Sequence, residues 1–255
     1  MSAMVDRLVA QVLGLEVRVL ACQARLSART DPEALHDLRT TVRRLRSLLR
    51  PLRGLPGVEQ VEAAASRVGD LTTPLRDREV LAAYLLQHDQ PEAAQRRMVQ
   101  MEQAYPAVAG SPELAHLLMI LDAFPRFLRA SQRQGLLKKL RKRLEKRLAK
   151  QWKKLDVALH DPAHDRHRLR LLIKRVRYGI DAYPELDRLP KAAMPRLKSA
   201  QGALGDWHDC FQWLARAEQE ADLQPCVPVW KTTMTNAEER ADRVLDKLSA
   251  TCFKS

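Results

Sequence analysis

A chain of 255 residues can bury a substantial core in one or two domains, and nine glycines are too few for a sheet-and-turn protein. The formal net charge of +13 points to an anionic partner. Four cysteines, Cys22, Cys210, Cys226 and Cys252, form no Cys-x-x-Cys pair and no zinc-like spacing, which argues against a disulfide scaffold and for reduced thiols in a cytosol.

Helical periodicity runs through the chain from its first element. The segment 1–20 breaks its apolar residues with Asp6, Arg7, Glu16 and Arg18, unlike a signal peptide. Helices are expected near 3–29, 33–53, 57–69, 75–87, 91–104, 112–130, 133–159, 163–182, 188–202, 207–223 and 227–250, with prolines at most boundaries. Asp31-Pro32, Ser111-Pro112 and Asp161-Pro162 each read as an N-cap followed by proline at the first helical position. Pro125 is expected to kink or end its helix. The most apolar run, 117–128, contains Asp122, Pro125 and Arg126, so no membrane span is expected.

The second helix opens with a sentence that the chain writes twice. His36-Asp-Leu-Arg-Thr-Thr-Val-Arg-Arg-Leu-Arg46 returns 131 residues later as His167-Arg-Leu-Arg-Leu-Leu-Ile-Lys-Arg-Val-Arg177. Positions 1, 3, 4, 9 and 11 are identical, and four of those five are His or Arg. Packing alone would repeat only the apolar residues.

On a helical projection Leu35, Leu38, Val42, Leu45 and Leu49 make one apolar stripe. His36, Arg39, Arg43, Arg46 and Arg50 make a second stripe, about 80° wide and roughly a third of a turn away. In the second copy Leu169, Ile173, Val176 and Ile180 are apolar. His167, Arg170, Lys174 and Arg177 form the cationic stripe, with Asp181 in the place of Arg50. Arg44 and Arg175 project to the far side and are expected in solvent. One such helix would read as a solvated basic face whose stems snorkel over the core edge. Two copies, each opened by a histidine, point to a ligand.

The charge is local. Residues 36–53, 166–181 and 131–159 carry +5, +5 and +9, which leaves the remainder at net −6. In the last window Leu137, Leu140, Leu144, Leu148, Trp152 and Leu155 form a core stripe beneath a broad basic fan. Lys139, Arg143, Lys146 and Lys150 fall within about 60° of one another and are the members of that fan expected to meet a ligand. Downstream of each repeat an aspartate recurs, Asp77 at 41 residues past His36 and Asp209 at 42 past His167. Each reads as the N-cap of a helix, or as a carboxylate that orients a histidine or arginine of the motif.

Catalytic signatures are missing. There is no Gly-x-x-x-x-Gly-Lys-Ser/Thr, Gly-x-Gly-x-x-Gly or Gly-x-Ser-x-Gly, and no Glu-x-Glu-x-Lys. Phosphoryl transfer needs carboxylates to hold magnesium, and the basic windows have almost none. His160, His164 and His167 have a spacing that suggests a metal site, but Pro162 keeps His160 off the helix that carries the other two, so no metal is expected. Trp152, Trp207, Trp213 and Trp230 sit at core-like positions and read as packing residues.

The doubled motif, with Tyr178 directly after its second copy and Leu204-Gly205-Asp206-Trp207-His208-Asp209 downstream, resembles the CHAD family, the conserved histidine α-helical domains, over residues 5–250. The resemblance implies an all-α fold of two helical bundles related by internal duplication about a pseudo-twofold, with a basic channel between them. The whole chain, 1–255, would be one such domain, made of repeats at about 3–110 and 131–250 joined by a helical connector. It further implies binding of inorganic polyphosphate. His36, Arg39, Arg43, Arg46, His167, Arg170, Lys174 and Arg177 carry the site over by position, and the neighbouring Arg50, Lys139, Arg143, Lys146, Lys150 and Tyr178 join them as candidates. Two features depart from the family pattern. No catalytic CYTH domain, to which many members are fused, is expected here, and Thr72-Thr73-Pro74 stands where the second half has Leu204-Gly205-Asp206.

The resulting expectation is a non-catalytic, cofactor-free polyphosphate binder of the cytoplasm, associated with polyphosphate granules. Arginine offers phosphate a planar fork of donors, and lysine a mobile point charge. A histidine beside a polyanion gains a proton more readily, so binding should strengthen in mild acid. A nucleic-acid-binding helical protein is the alternative. Against it, Tyr178 is the one aromatic residue among the basic stripes, which leaves little for base stacking.

Overall fold

In a computed structural model, which describes residues 3–29, 31 and 33–253, the chain is all-α. Among the described residues there are nine α-helices, short 3₁₀ turns and no strand: α1 Ala3–Ala28, α2 Ala34–Leu49, α3 Val58–Gln87, α4 Pro91–Ala109, α5 Pro112–Arg133, α6 Leu140–Leu159, α7 Arg166–Ala182, α8 Ala193–Ala217 and α9 Val227–Cys252. No single helix among them is long and apolar enough to cross a membrane. The chain divides into two compact units, Met1–Leu144 and Glu145–Ser255.

In the first unit α1 packs on α2, α4 and α5, and α3 packs on α2, α4 and α5. The apolar stripe read from the first motif is the core of α2: Leu35, Leu38, Val42, Leu45 and Leu49 are all buried. The stretch expected to connect two repeats is α5, which buries Leu114, Leu117, Leu121 and Leu128 in this unit. In the second unit α8 lies between α7 and α9. Leu169, Ile173 and Val176 of α7 meet Leu197, Ala200 and Leu204 of α8, Leu245 and Leu248 of α9, and Leu155 of α6. Ile180 packs against the same cluster, and so do Trp152 and Trp207. Trp213 and Trp230 are buried with ring centroids 5.6 Å apart. The four cysteines are free thiols.

Several boundaries differ from the sequence reading, each for a physical reason. The helices expected at 57–69 and 75–87 are one helix, α3, which continues through Pro74. A proline removes one donor and crowds the carbonyl a turn before it. That carbonyl is Asp70's; burial of Val68, Thr72 and Leu75 on either side of the ring holds the helix together across it. The helices expected at 188–202 and 207–223 are likewise one helix, α8. Ala203 and Leu204 bury the stripe that the expected break would have interrupted, and this outweighs the roughly 1 kcal/mol penalty of Gly205. Leu223 lies beyond it, in the 3₁₀ turn Ala221–Cys226. Pro125 is buried inside α5 and does not end it.

Of the three expected caps, Ser111 is one: its hydroxyl accepts from Leu114 N at 3.3 Å. Asp31 instead holds Glu33 N at 2.8 Å one turn before α2, and Pro32 lies outside the described residues. Asp161 accepts from Ala163 N, while His164 takes a left-handed φ of +42° and Asp165 caps α7 through Arg168 N at 3.0 Å. The helix expected from 133 begins at Leu140, because Gly135 (φ +75°) and Lys139 (φ +58°) turn the chain before it. Gly57 opens α3 at φ +77°, where a Cβ would come within 2.7 Å of Phe127, so the position needs glycine twice over.

The packing yields a matched test on α7. Ile173→Ala should cost about 3 kcal/mol of unfolding free energy, whereas Leu171→Ala, at a residue 36 % exposed, should cost under about 1 kcal/mol. Urea unfolding followed by circular dichroism measures both.

Candidate phosphate-binding rows

Each cationic stripe borders a buried stripe on its own helix. On α2, His36, Arg39 and Arg46 are half-buried and Arg43 is exposed; Arg44, on the far side, is exposed. On α7, Arg170, Lys174 and Arg177 are half-buried and His167, in the first turn, is exposed, as is Arg175 on the far side. The projection separates Lys174 from Arg175 in burial, whereas Arg43 and Arg44 are both exposed. Ion pairs sharpen the row on α7. Arg166 is held by Asp242 of α9 at 2.9 and 2.6 Å, and Arg168 by Asp161 at 2.8 Å, so two cations of this basic window are neutralised off the row.

The first row is built against α3. Arg39 Nη1 donates to Thr72 Oγ1 and Thr73 Oγ1, both at 3.0 Å, as well as to the Gly69 carbonyl. Burial pushes its guanidinium below the usual arginine value; Asp77 opposes this, while Arg43 and Arg76 reinforce it. Arg46 lies over the same spot, since a Cβ on Gly69 would sit 3.3 Å from its Nη1. Arg43 Nη2 reaches Thr40 Oγ1 at 3.1 Å. Arg50 departs from the expectation. It opens the 3₁₀ turn Arg50–Leu52 rather than extending α2, because Pro51 has no N–H to continue the ladder. Its Nε lies 4.0 Å from buried Glu62, which also accepts from Arg53 at 2.6 and 2.5 Å.

The second row is built against α8. His167 and His208 have ring centroids 5.8 Å apart. The His208 imidazole is pushed down to about 4, first by burial and then by Arg170, Lys174 and His167. Its Nδ1 is buried and makes no hydrogen bond. Arg177 lies over the Tyr178 ring at 5.2 Å, with Asp181 at 3.9 Å, and the Tyr178 hydroxyl accepts from Gln201 Nε2 at 3.2 Å. Gly179 lets α6 approach: a Cβ there would stand 3.1 Å from Leu148 and 3.2 Å from Gln151.

The third set does not hold together as expected. Lys139 precedes α6 in a left-handed turn, so it leaves the arc assigned to it; Arg143, Lys146 and Lys150 remain on α6 and are exposed. The three histidines considered for a metal have other neighbours: His160 faces Asp156 and Ser249, and His164 faces Asp242 at 3.3 Å. Asp77 and Asp209 lie well inside α3 and α8, so neither is an N-cap, and Asp77 acts on Arg39 instead. Two residues left out of the sequence-derived rows join them: Arg76, beside Arg39 and paired with Glu79 at 2.8 Å, and His208. Their signal was the recurrence of Arg76-Asp77 and His208-Asp209, 132 residues apart.

The nine described helices and the two cationic rows they carry place the chain among all-helical domains in architecture. The CHAD domain family model matches residues 6–218, and the chain belongs to that family. The crystal structure of the CHAD domain from the plant Ricinus communis is similar at a TM-score of 0.66 and 21 % identity, over 98 % of this chain and 91 % of that one. No curated protein matches the chain.

Two outcomes follow from this geometry. Arg39→Ala removes donors from buried Thr72 and should cost roughly 1–3 kcal/mol of stability, against under about 0.5 kcal/mol for Arg43→Ala, read by urea unfolding. The folded His208 value of about 4 lies below the ordinary 6.5, so the unfolded chain binds more protons between those limits. Stability should therefore fall as pH drops from about 6.5 to about 4, and His208→Gln should flatten that part of a melting-temperature profile.

Proposed function

We propose that this protein binds inorganic polyphosphate without reacting it, through the α2 and α7 rows. The observation that carries the reading is the placement of the cations. Arg39 and Arg46 in one unit, and Arg170, Lys174 and Arg177 in the other, are held half-buried at the edge of an apolar stripe, while Arg44 and Arg175 stand in solvent. A fixed row of guanidinium and ammonium groups matches the regular anionic charge of a phosphate chain, and counterion release supplies much of the driving force. Membership of the CHAD family supports the same ligand. The proposal extends to both rows gripping one chain, as the channel of the CHAD resemblance implies, and to recruitment of the protein to cytoplasmic polyphosphate granules. Exposed Arg143, Lys146 and Lys150 on α6 would add to the long-range field.

The test is a titration with long-chain polyphosphate, and with DNA and RNA at equal phosphate concentration, in physiological salt. Polyphosphate should bind at least about tenfold tighter per phosphate, since each row is lined by cations and few aromatic rings. Arg43→Glu or Lys174→Glu should abolish binding, whereas Arg44→Glu and Arg175→Glu should cost little. Equal affinity for the three polymers would favour a nucleic-acid binder. Equal losses for the adjacent pairs would mean a diffuse basic surface. One polyphosphate segment per protein, and near-complete loss when either row is neutralised, would fit a single chain gripped by both.

A further inference from the structure

The α8 side of the second row holds a group that the polyphosphate reading leaves unused. His208 faces three potential cations on α7, namely His167, Arg170 and Lys174. On its own helix Trp207 lies beside it, ring centroids 6.2 Å apart, while Asp209 and Asp206 flank Cys210. Of the charges on α9, which packs on α8, Arg240 pairs with Asp206, Arg243 with Glu239, and Asp242 and Glu238 are drawn to Arg166. The Nδ1 of His208 is buried with no hydrogen bond, an uncommon state for a buried polar atom. In the other unit the equivalent place in the downstream recurrence is Arg76, a permanent cation. His208 is thus a conditional version of a charge that the first row carries at all pH values.

Building on the proposed function, we propose that His208 is a phosphate-binding residue of the α7–α8 face, and that polyphosphate seated there draws a proton onto its imidazole. In the free protein partial burial, reinforced by the surrounding cations, keeps the ring neutral down to about pH 4. A phosphate chain beside Arg170 and Lys174 reverses the sign of that field, so the ring can take a proton and donate to a phosphate oxygen. The proton comes from solvent or buffer and is released when the chain leaves. Binding in the second unit therefore tightens with acidity through a residue outside the repeated motif.

The experiment is calorimetric titration of the full chain with long-chain polyphosphate at pH 5.5, in two buffers of different ionisation enthalpy, which together count protons taken up. Wild type should take up roughly one proton more per protein than His208→Gln. His88→Gln, whose ring stacks on Tyr84 in the first unit, should match wild type. Uptake unchanged in His208→Gln would overturn the inference while leaving polyphosphate binding intact. Absence of polyphosphate binding by wild type would instead overturn the parent reading, and this inference with it. Should the variant fold poorly, the ¹⁵N shifts of the His208 ring in wild type decide. They should report a neutral ring in the free protein and a protonated ring in the polyphosphate-bound one at pH 5.5; a ring neutral in both would sink the inference.

Discussion

A helix that must bury one stripe and carry a cationic row beside it faces a conflict between packing and charge. Leu35, Leu38, Val42 and Leu45 draw α2 into the core, and the same rotation brings Arg39 and Arg46 partly out of water. Desolvated guanidinium groups are costly unless something answers them. On α2 the answer comes from α3: the Gly69 carbonyl and the hydroxyls of Thr72 and Thr73 take the donors of Arg39, and Glu62, bonded to Arg53, lies 4.0 Å from Arg50. The first cationic row is thus built from two helices.

On α7 the same conflict is resolved differently. Leu204 and Gly205 stand where the first half has Thr72 and Thr73, so those two hydroxyl acceptors have no counterpart there, and a histidine occupies the place of Arg76. Burial first, and then the field of Arg170, Lys174 and His167, keeps that histidine uncharged. The first row thus has the donors of Arg39 met by α3, while the second sets a neutral histidine beside Arg170 and Lys174. A ligand rich in closely spaced negative charge gains from cations whose desolvation has already been met in folding.

Much of this was legible in the sequence because helical projection depends only on residue spacing. It assigned the buried stripes of α2 and α7, and it placed Arg44 and Arg175 in solvent. It did less well where tertiary neighbours decide. Pro74 looks like a helix end until the burial of Val68, Thr72 and Leu75 on either side of it is known. Lys139 belongs to a helical arc only if residue 139 is helical, and the turn that follows Gly135 sets its φ at +58°. Arg50 projects onto the row, yet Pro51 and buried Glu62 take it away. Asp77 and Asp209 were ambiguous between cap and partner because the continuity of α3 and α8 is itself a packing outcome. His208 is a plain histidine until α7 is laid against it.

The central claim is that a short, fixed set of cations binds the ligand, and that net charge alone does not. The salt dependence of polyphosphate affinity measures this most directly, because its logarithmic slope counts the phosphates neutralised. Seven permanent cations lie in the two sequence-derived rows: Arg39, Arg43, Arg46, Arg50, Arg170, Lys174 and Arg177. At about 0.7 per contact for a single-stranded polyanion, the account gives a slope near −5, or slightly shallower because Glu62 holds Arg50. A slope of about −10 or steeper would mean that the whole basic surface is engaged, and would contradict it.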